Sequence, residues 1–508
     1  MTAVPIRRPR LTNTPEFPSR TAVAFACAAV VTARLVFLWQ PLRSDEGGYL
    51  LAARNWRAGG EFLYGDYQVD RPPLLMAIFR VAALSEWDRA IRVLAIPFAL
   101  VVVVAAARAG YLAAGHCGAR WSTVVAAALV SSPALAADQA DGELFAVAFV
   151  AVSVALALDA WHHPVGAAQW WFALGAGAAG AAASLVKQNF LDGLVFVAIL
   201  VLADAMRARR VTVRGCLVTT GAGIGALLPN LMVVEWARSA GLGGLQMWSE
   251  LATFRRDAFT VIWEGSTHAP MLRAITLVGL AVVSAMVPLA WNWLRACRTR
   301  TSRLAPEQCA VSGGFVFGVA ALAAGGSYWP HYLLQLLPML ALAAGMVAAR
   351  DSPSGARMRQ WSRVAAGSAV AAVLVTATVY ATVPRVWFQE RTGQWLASSS
   401  PPGDTAFVAY GAPSILEAAD LASPYPYLWS VSMRTLDPGQ VRLRATLTAP
   451  DAPTWVVQIN GFDSWDIDNR GRLRSLVESR YDVAATVCGH QIWLRSNLTR
   501  ILASFPDC

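Results

Sequence analysis

About eleven uninterrupted apolar stretches, each near the length that crosses a bilayer as a helix, leave this chain little choice of fold. They run at 21–40, 91–114, 121–137, 143–160, 169–186, 188–205, 213–235, 272–294, 308–325, 332–349 and 363–384 of 508 residues. Between them the charges gather in clusters, so that 56% of the chain is hydrophobic and only 15% charged. This is the pattern of an α-helical polytopic membrane protein. The net charge of +10 does not point to nucleic acid, because the arginines lie in short connections rather than on one face of a soluble domain.

Those arginines also orient the chain. A basic start (Arg7, Arg8, Arg10, Arg20) precedes the first apolar run from Thr21 to Gln40, which reads as an uncleaved first helix rather than a signal peptide. With residues 1–20 as a cytoplasmic tail, three clusters fall on the cytoplasmic side: Arg207, Arg209, Arg210 and Arg214; Arg295, Arg298, Arg300 and Arg303; and Arg350, Arg357, Arg359 and Arg363. Residues 21–385 then form a membrane domain with two long outer segments, 43–89 and 237–270. The second, with Trp248, Glu250, Arg255, Arg256 and Trp263, suits an amphipathic helix lying along the interface.

Beyond Pro384 the composition turns soluble, and residues 386–508 are expected to form a small extracytoplasmic α/β domain. Ser398–Gly403 reads as a linker, Thr405–Tyr410, Thr454–Ile459 and Val483–Leu494 as strands, and 413–422 and 469–480 as helices. Seven cysteines without a CxxC pair argue against metal-ribbon and redox motifs. Cys488 and Cys508 both lie in the outer domain, either bridged or as two free thiols.

The chemistry-bearing residues collect at the outer ends of the apolar runs. Asp45 and Glu46 follow the first run directly, Asp70 and Arg71 precede Pro72 and Pro73, and Asp141 precedes the fourth run. Such carboxylates can deprotonate an acceptor hydroxyl, orient it or bind a cation; the alternative for each is a solvated loop acid or a helix N-cap. Lys187 is the only lysine in a chain that otherwise uses arginine, which suits a mobile point charge on a phosphate or, alternatively, interfacial snorkelling. Arg71, held by two stiff prolines, is a second cation able to fork onto phosphate oxygens. Arg34, Arg89 and Arg92 read as snorkelling or acid-paired. The outer turn from Gly325 to Tyr332 offers aromatic rings and His331, either for a ligand or as part of an interfacial belt. His162 and His163 fall on the cytoplasmic side.

The succession Asp45-Glu46, Tyr49, Gly59-Gly60 and Asp70-Arg71-Pro72-Pro73-Leu74 resembles the first outer loop of the GT-C superfamily of membrane glycosyltransferases. The likeness is to the branch holding the lipid A aminoarabinose transferases and the protein O-mannosyltransferases. Asp141, Lys187 and His331-Tyr332 with Pro338 match later family positions in order. The resemblance implies a GT-C-like fold and transfer, with inversion, of a sugar from a polyprenyl-phosphate donor. The acceptor would be a cell-envelope glycan, lipid or protein hydroxyl on the extracytoplasmic side. It implies Asp45 as base or acceptor-orienting carboxylate, Asp141 as a second acid, and Arg71 and Lys187 on the donor phosphate. Glu46, Tyr49, His331 and Tyr332 are supporting residues, and Glu46 and Asp70 are candidate ligands of a divalent metal cation. One departure is that Asp70 and Arg71 stand where relatives carry glutamate and lysine, which puts a metal at Asp70 in doubt. A polyprenyl-lipid transporter or flippase, and a non-catalytic envelope-assembly protein, are the competing readings.

Overall fold

A computed structural model describes residues 20–264, 268–298, 304–468 and 470–508. Arg7, Arg8 and Arg10 of the basic start, and Arg300 and Arg303 of the second arginine cluster, lie outside the described residues. Helix α1 (Arg20–Val36) leads into segment 43–89, expected as an outer loop, which folds as α2 (Ser44–Arg54) and α3 (Pro73–Ala82). Pro72 is extended at ψ 158° and Pro73 opens α3, where a proline costs no hydrogen bond.

Helix α4 (Ala90–Val130) carries two of the expected spans without the loop expected between them. The chain turns at Ala114 and Gly115, the latter at φ 66°, a conformation that favours glycine. On a straight helix Gly110 and Gly118 would stand about 12 Å apart. Instead, a methyl added at Gly118 would come within 2.4 Å of the Gly110 carbonyl oxygen, so the two halves fold back on each other. The next helices are α5 (Gly142–His162), α6 (Ala167–Val186), α7 (Asp192–Ala208) and α8 (Val213–Ser239). α6 and α8 meet along small residues: Gly177 faces Ala222, and Gly225 faces the Leu174 carbonyl.

The second segment expected outside forms α9 (Gly244–Trp248), one π turn and α10 (Phe254–Glu264). The span expected at 272–294 is broken into α11 (His268–Val283) and α12 (Met286–Arg298), with Ala285 at φ 60° between them. Then come α13 (Pro306–Ala324), a 3₁₀ helix (Pro330–Leu336) continuing into α14 (Leu337–Ala348), and α15 (Pro353–Thr382). Among the described residues six helices are long and apolar enough to cross a membrane, or seven if the bent pair around α10 and α11 is one span. That is fewer than the eleven expected segments, in part because α1 and α7 are each 17 residues long.

The C-terminal region begins with α16 (Phe388–Ser399), whose Ser399 is buried, so the expected linker is in part the end of a docked helix. Strand β1 (Ala406–Ala409) is followed by α17 (Ser414–Ala419), α18 (Ser430–Leu436), α19 (Val441–Thr448), β2 (Trp455–Gln458) and α20 (Arg472–Arg480). The last strands are β3 (Tyr481–Val487) and β4 (His490–Arg495), where a single strand was expected. Cys488 and Gly489, both at positive φ, make the hairpin turn that divides it. The sheet order is β1-β2-β4-β3, with β1 and β2 parallel and the other pairs antiparallel. Cys488 and Cys508 are bridged, with Cα atoms 5.3 Å apart. The tail so fixed lies on α16, where Trp395 Nε1 donates to the Ala503 carbonyl at 3.1 Å.

Candidate functional site

Helix α2 separates the two acids that are neighbours in sequence. Successive helical residues point about 100° apart, so Asp45 and Glu46 meet different surroundings. Glu46 is fully buried and accepts four hydrogen bonds: from Arg92 Nε (2.9 Å) and Nη2 (2.7 Å), Ala140 N (2.9 Å) and Arg43 N (2.9 Å). Arg92 in turn donates to the carbonyls of Phe37 (2.9 Å), Gln40 (2.7 Å) and Pro41 (2.8 Å), closing the chain end that follows α1. Burial works against ionising Glu46, but Arg92 and the two backbone N–H groups outweigh it and hold its carboxyl below the usual range. Its lone pairs are committed to these donors, which fix α2 and with it Asp45 in place.

Asp45 is half-buried and faces the other way. Its Oδ1 accepts from the indole Nε1 of Trp429 (3.0 Å) and its Oδ2 lies 3.4 Å from the Tyr49 hydroxyl. Trp429 comes from the C-terminal region, directly before α18, and also packs on Tyr49, with ring centroids 5.2 Å apart. The close approach requires glycine on α2. A methyl at Gly48 would stand 2.5 Å from the Trp429 ring, and one at Gly47 would stand 2.6 Å from Ser414 Cα.

Asp70 and Arg71 follow in the same segment. Asp70 pairs with Arg71 (3.1 Å) and with Arg255 of α10 (2.8 Å). Tyr64 hydroxyl donates to the Arg71 carbonyl (2.6 Å) and Gln188 Nε2 to the Asp70 carbonyl (2.8 Å), which anchors the backbone ahead of the two prolines. The Arg71 guanidinium lies over the Tyr49 ring at 5.5 Å. A metal at Asp70 is disfavoured, since each of its oxygens already faces a guanidinium. Among the described residues no group of three metal-type side chains comes together.

Asp141 stands at the N-cap position of α5 without a capping side-chain hydrogen bond, and His331 Nδ1 approaches its Oδ2 at 3.1 Å. Burial pushes the Asp141 carboxyl up to about 6, against the pull of His331. The second ring nitrogen of His331 lies 3.5 Å from Glu143, which is ion-paired with Lys187. Lys187, at the end of α6, sits over the Tyr332 ring at 4.4 Å. His331 and Tyr332 both belong to the 3₁₀ turn that opens α14.

The structure thus joins Asp45, Tyr49, Asp70 and Arg71 in one set of contacts and Asp141, Lys187, His331 and Tyr332 in a second, with Arg71 and Glu143 within electrostatic reach of each other across the two. Glu143, Arg255 and Trp429 also belong to the cluster, and sequence reasoning did not assign them there. Glu143 was hidden as the first residue of an apolar run, although an acid two positions after Asp141 was a readable signal. Arg89, by contrast, pairs with Asp88 and Glu390 away from the cluster, and buried Arg34 donates to the Gln139 carbonyl (3.1 Å). Glu250 accepts from the Leu63 amide (3.2 Å) and Gln246 (3.2 Å), so it ties α9 and the π turn before α10 to the stretch between α2 and α3.

An apolar cleft of about 350 Å³ adjoins the cluster, walled by α11, α12, α13 and the start of α14. Leu277, Trp291, Phe315, Val319, Leu333 and Leu336 line it. Leu333 and Leu336 share the 3₁₀ turn with His331 and Tyr332, so one element borders both the charged cluster and the cleft.

No family model matches the sequence, and no curated protein matches it. Among solved structures the chain is similar to ArnT from Cupriavidus metallidurans in the apo state, at TM-score 0.63 and 15% identity over 93% of this chain and 98% of that one. The same protein bound to undecaprenyl phosphate gives TM-score 0.61 and 14% identity over 93% and 97%. The Archaeoglobus fulgidus oligosaccharyltransferase in complex with Zn and sulfate gives 0.50 and 12% over 91% and 71%. The chain shares the overall fold of these structures.

Proposed function

We propose that this chain is an integral-membrane glycosyltransferase that moves a sugar from a polyprenyl-phosphate donor to an acceptor hydroxyl on the extracytoplasmic side. The observation that carries the reading is the meeting of four carboxylates with three cations beside an apolar cleft. Asp45, Asp70, Asp141 and Glu143 supply the acids, and Arg71, Lys187 and Arg255 the cations. A donor with an anionic head and a long apolar tail matches that combination. The ArnT structure with undecaprenyl phosphate supports the same donor class.

In this mechanism the donor tail lies in the cleft and its phosphate exchanges for carboxylates on Arg71, Lys187 and Arg255. Asp45, or Asp141 with its raised pKa, takes the proton of the acceptor hydroxyl as that oxygen attacks the anomeric carbon. The bond to phosphate breaks with its electron pair on the phosphate oxygen, where the cations stabilise the charge. Attack opposite the leaving phosphate inverts the anomeric centre.

Two observations support the outward orientation. The cysteines bridged in the outer domain suit an oxidising compartment. The arginine-rich turns after α7 and α14, and the end of α12 with Arg295 and Arg298, lie away from the cluster, as the positive-inside rule expects of the cytoplasmic side. A flippase would need ionisable groups reachable from both faces, whereas this cluster sits at one.

The test is transfer by purified protein from radiolabelled undecaprenyl-phosphate arabinose and mannose to a membrane extract. Asp45→Asn and Lys187→Ala are expected to lose transfer by at least about 100-fold, the scale of a positioned general base. Wild-type rates in both variants would refute the mechanism.

A further inference from the structure

Every cation of the buried cluster already has an anion. Arg71 and Arg255 share Asp70, and Lys187 holds Glu143. An incoming phosphate therefore meets little net attraction there until a carboxylate yields its partner. Arg273 differs. It stands on α11, and among the described residues it has no carboxylate within ion-pair distance. Its guanidinium instead lies over the Trp329 ring at 4.6 Å, and its buried Nε has no hydrogen-bond partner.

Its place on the helix matters as much as its charge. Leu277, Val278 and Ala281, which line the apolar cleft, lie four, five and eight residues further along α11, on or beside the face below Arg273. Trp329 directly precedes the 3₁₀ turn that carries Tyr332, and Tyr332 in turn is within electrostatic reach of Arg273 and in contact with Lys187. A path thus runs from Arg273 past Tyr332 to Lys187, and the cleft lies along its lower edge.

We propose that Arg273, braced on Trp329, is a capture site for the phosphate of a polyprenyl phosphate at the outer end of the apolar cleft, from which the head group passes across Tyr332 to Lys187 and Arg71. The inference rests on the donor class proposed above. An uncompensated cation attracts the lipid phosphate from a distance, and the cleft takes the first isoprene units, so that binding needs both charge and tail. The rival is an interfacial anchor, an arginine on a tryptophan at the bilayer surface with no ligand.

The test titrates the detergent-purified full chain with undecaprenyl phosphate, read by tryptophan quenching, at low and high salt. Arg273→Ala is expected to weaken the apparent Kd about tenfold at low salt and less at high salt, as for a long-range attraction. Arg273→Lys should stay within about twofold of wild type because it keeps the charge. Inorganic phosphate at the same concentrations should not compete, and farnesyl phosphate should compete more weakly than the full-length lipid. Arg273→Ala binding like wild type, while Arg71→Ala is impaired, would overturn the capture site and leave the donor class standing. Equal competition by inorganic phosphate would also overturn it, since the cleft would then contribute nothing. If wild type fails to bind undecaprenyl phosphate at all, the donor class falls and the capture site with it.

Discussion

Replacing Glu46 by glutamine separates a structural carboxylate from a functional one with almost no change in volume. All four partners of Glu46 are donors: Arg43 N, Ala140 N, Arg92 Nε and Arg92 Nη2. The amide brings an NH₂ group against two of them and removes the charge that balances a guanidinium only 5% exposed. Breaking a buried ion pair in this way costs about 3–5 kcal/mol, with part of that from N–H groups left without an acceptor. The Glu46→Gln protein should unfold at clearly lower temperature in detergent, followed by fluorescence-detected size exclusion after heating. Asp45→Asn is the control, since Asp45 is half-buried with only two weak-to-moderate partners, and should melt with wild type. If Glu46→Gln keeps wild-type stability and instead loses activity that added divalent metal restores, the structural assignment of Glu46 is wrong.

Other outcomes are expected along the same lines. Because the folded Glu46 carboxyl is held below its unfolded value near 4.5, its contribution is present above that pH and is lost as pH falls through the lower folded value; the acid limb of the melting curve should flatten in Glu46→Gln. Glu417 on α17 behaves oppositely. Burial, only partly offset by Arg54, pushes its carboxyl up to about 7, so between about pH 4.5 and 7 the unfolded chain releases a proton that the native state keeps. Stability should fall over that window and level off above it, and Glu417→Gln should remove the slope. Trp429→Phe keeps the ring on Tyr49 but loses the N–H to Asp45; turnover should drop about tenfold with donor KM and melting temperature unchanged. Cys508→Ser opens a bridge spanning a separation of 20 residues. It should cost up to about 3 kcal/mol in the chain-entropy view and make the C-terminal tail the first site of limited proteolysis.

Much of the site was legible because polar residues at the ends of apolar helices have few reasons to be there. Asp45, Asp70, Arg71, Asp141 and Lys187 stand out against their surroundings without any knowledge of the fold. What failed to show has a common cause in distance and phase. Glu46 was read as supporting Asp45 or binding a metal, and its separate set of buried donors stayed hidden because sequence adjacency conceals the turn of about 100° between helical neighbours. Arg255 and Trp429 come from segments 185 and 384 positions from their partners, and no local pattern announces such a meeting. The fold shows the same limit. The turn at Gly115 replaced an expected loop, and Cys488 adopts a positive φ that its residue type does not advertise, so the β3–β4 hairpin read as one strand.

The hydrogen bond from Trp429 to Asp45 has a consequence for how the protein can be divided. A boundary drawn near residue 385 follows the change in composition, yet it cuts through the contacts around the proposed base. Severed there, the membrane half would present a bare face of Gly47, Gly48 and Tyr49 to water, and Asp45 would lose its fixed donor. The outer half would carry away a tryptophan with nothing to hold. Two units by composition are one by chemistry, so exchange of this domain between homologous chains would have to carry the surface of α2 along with it.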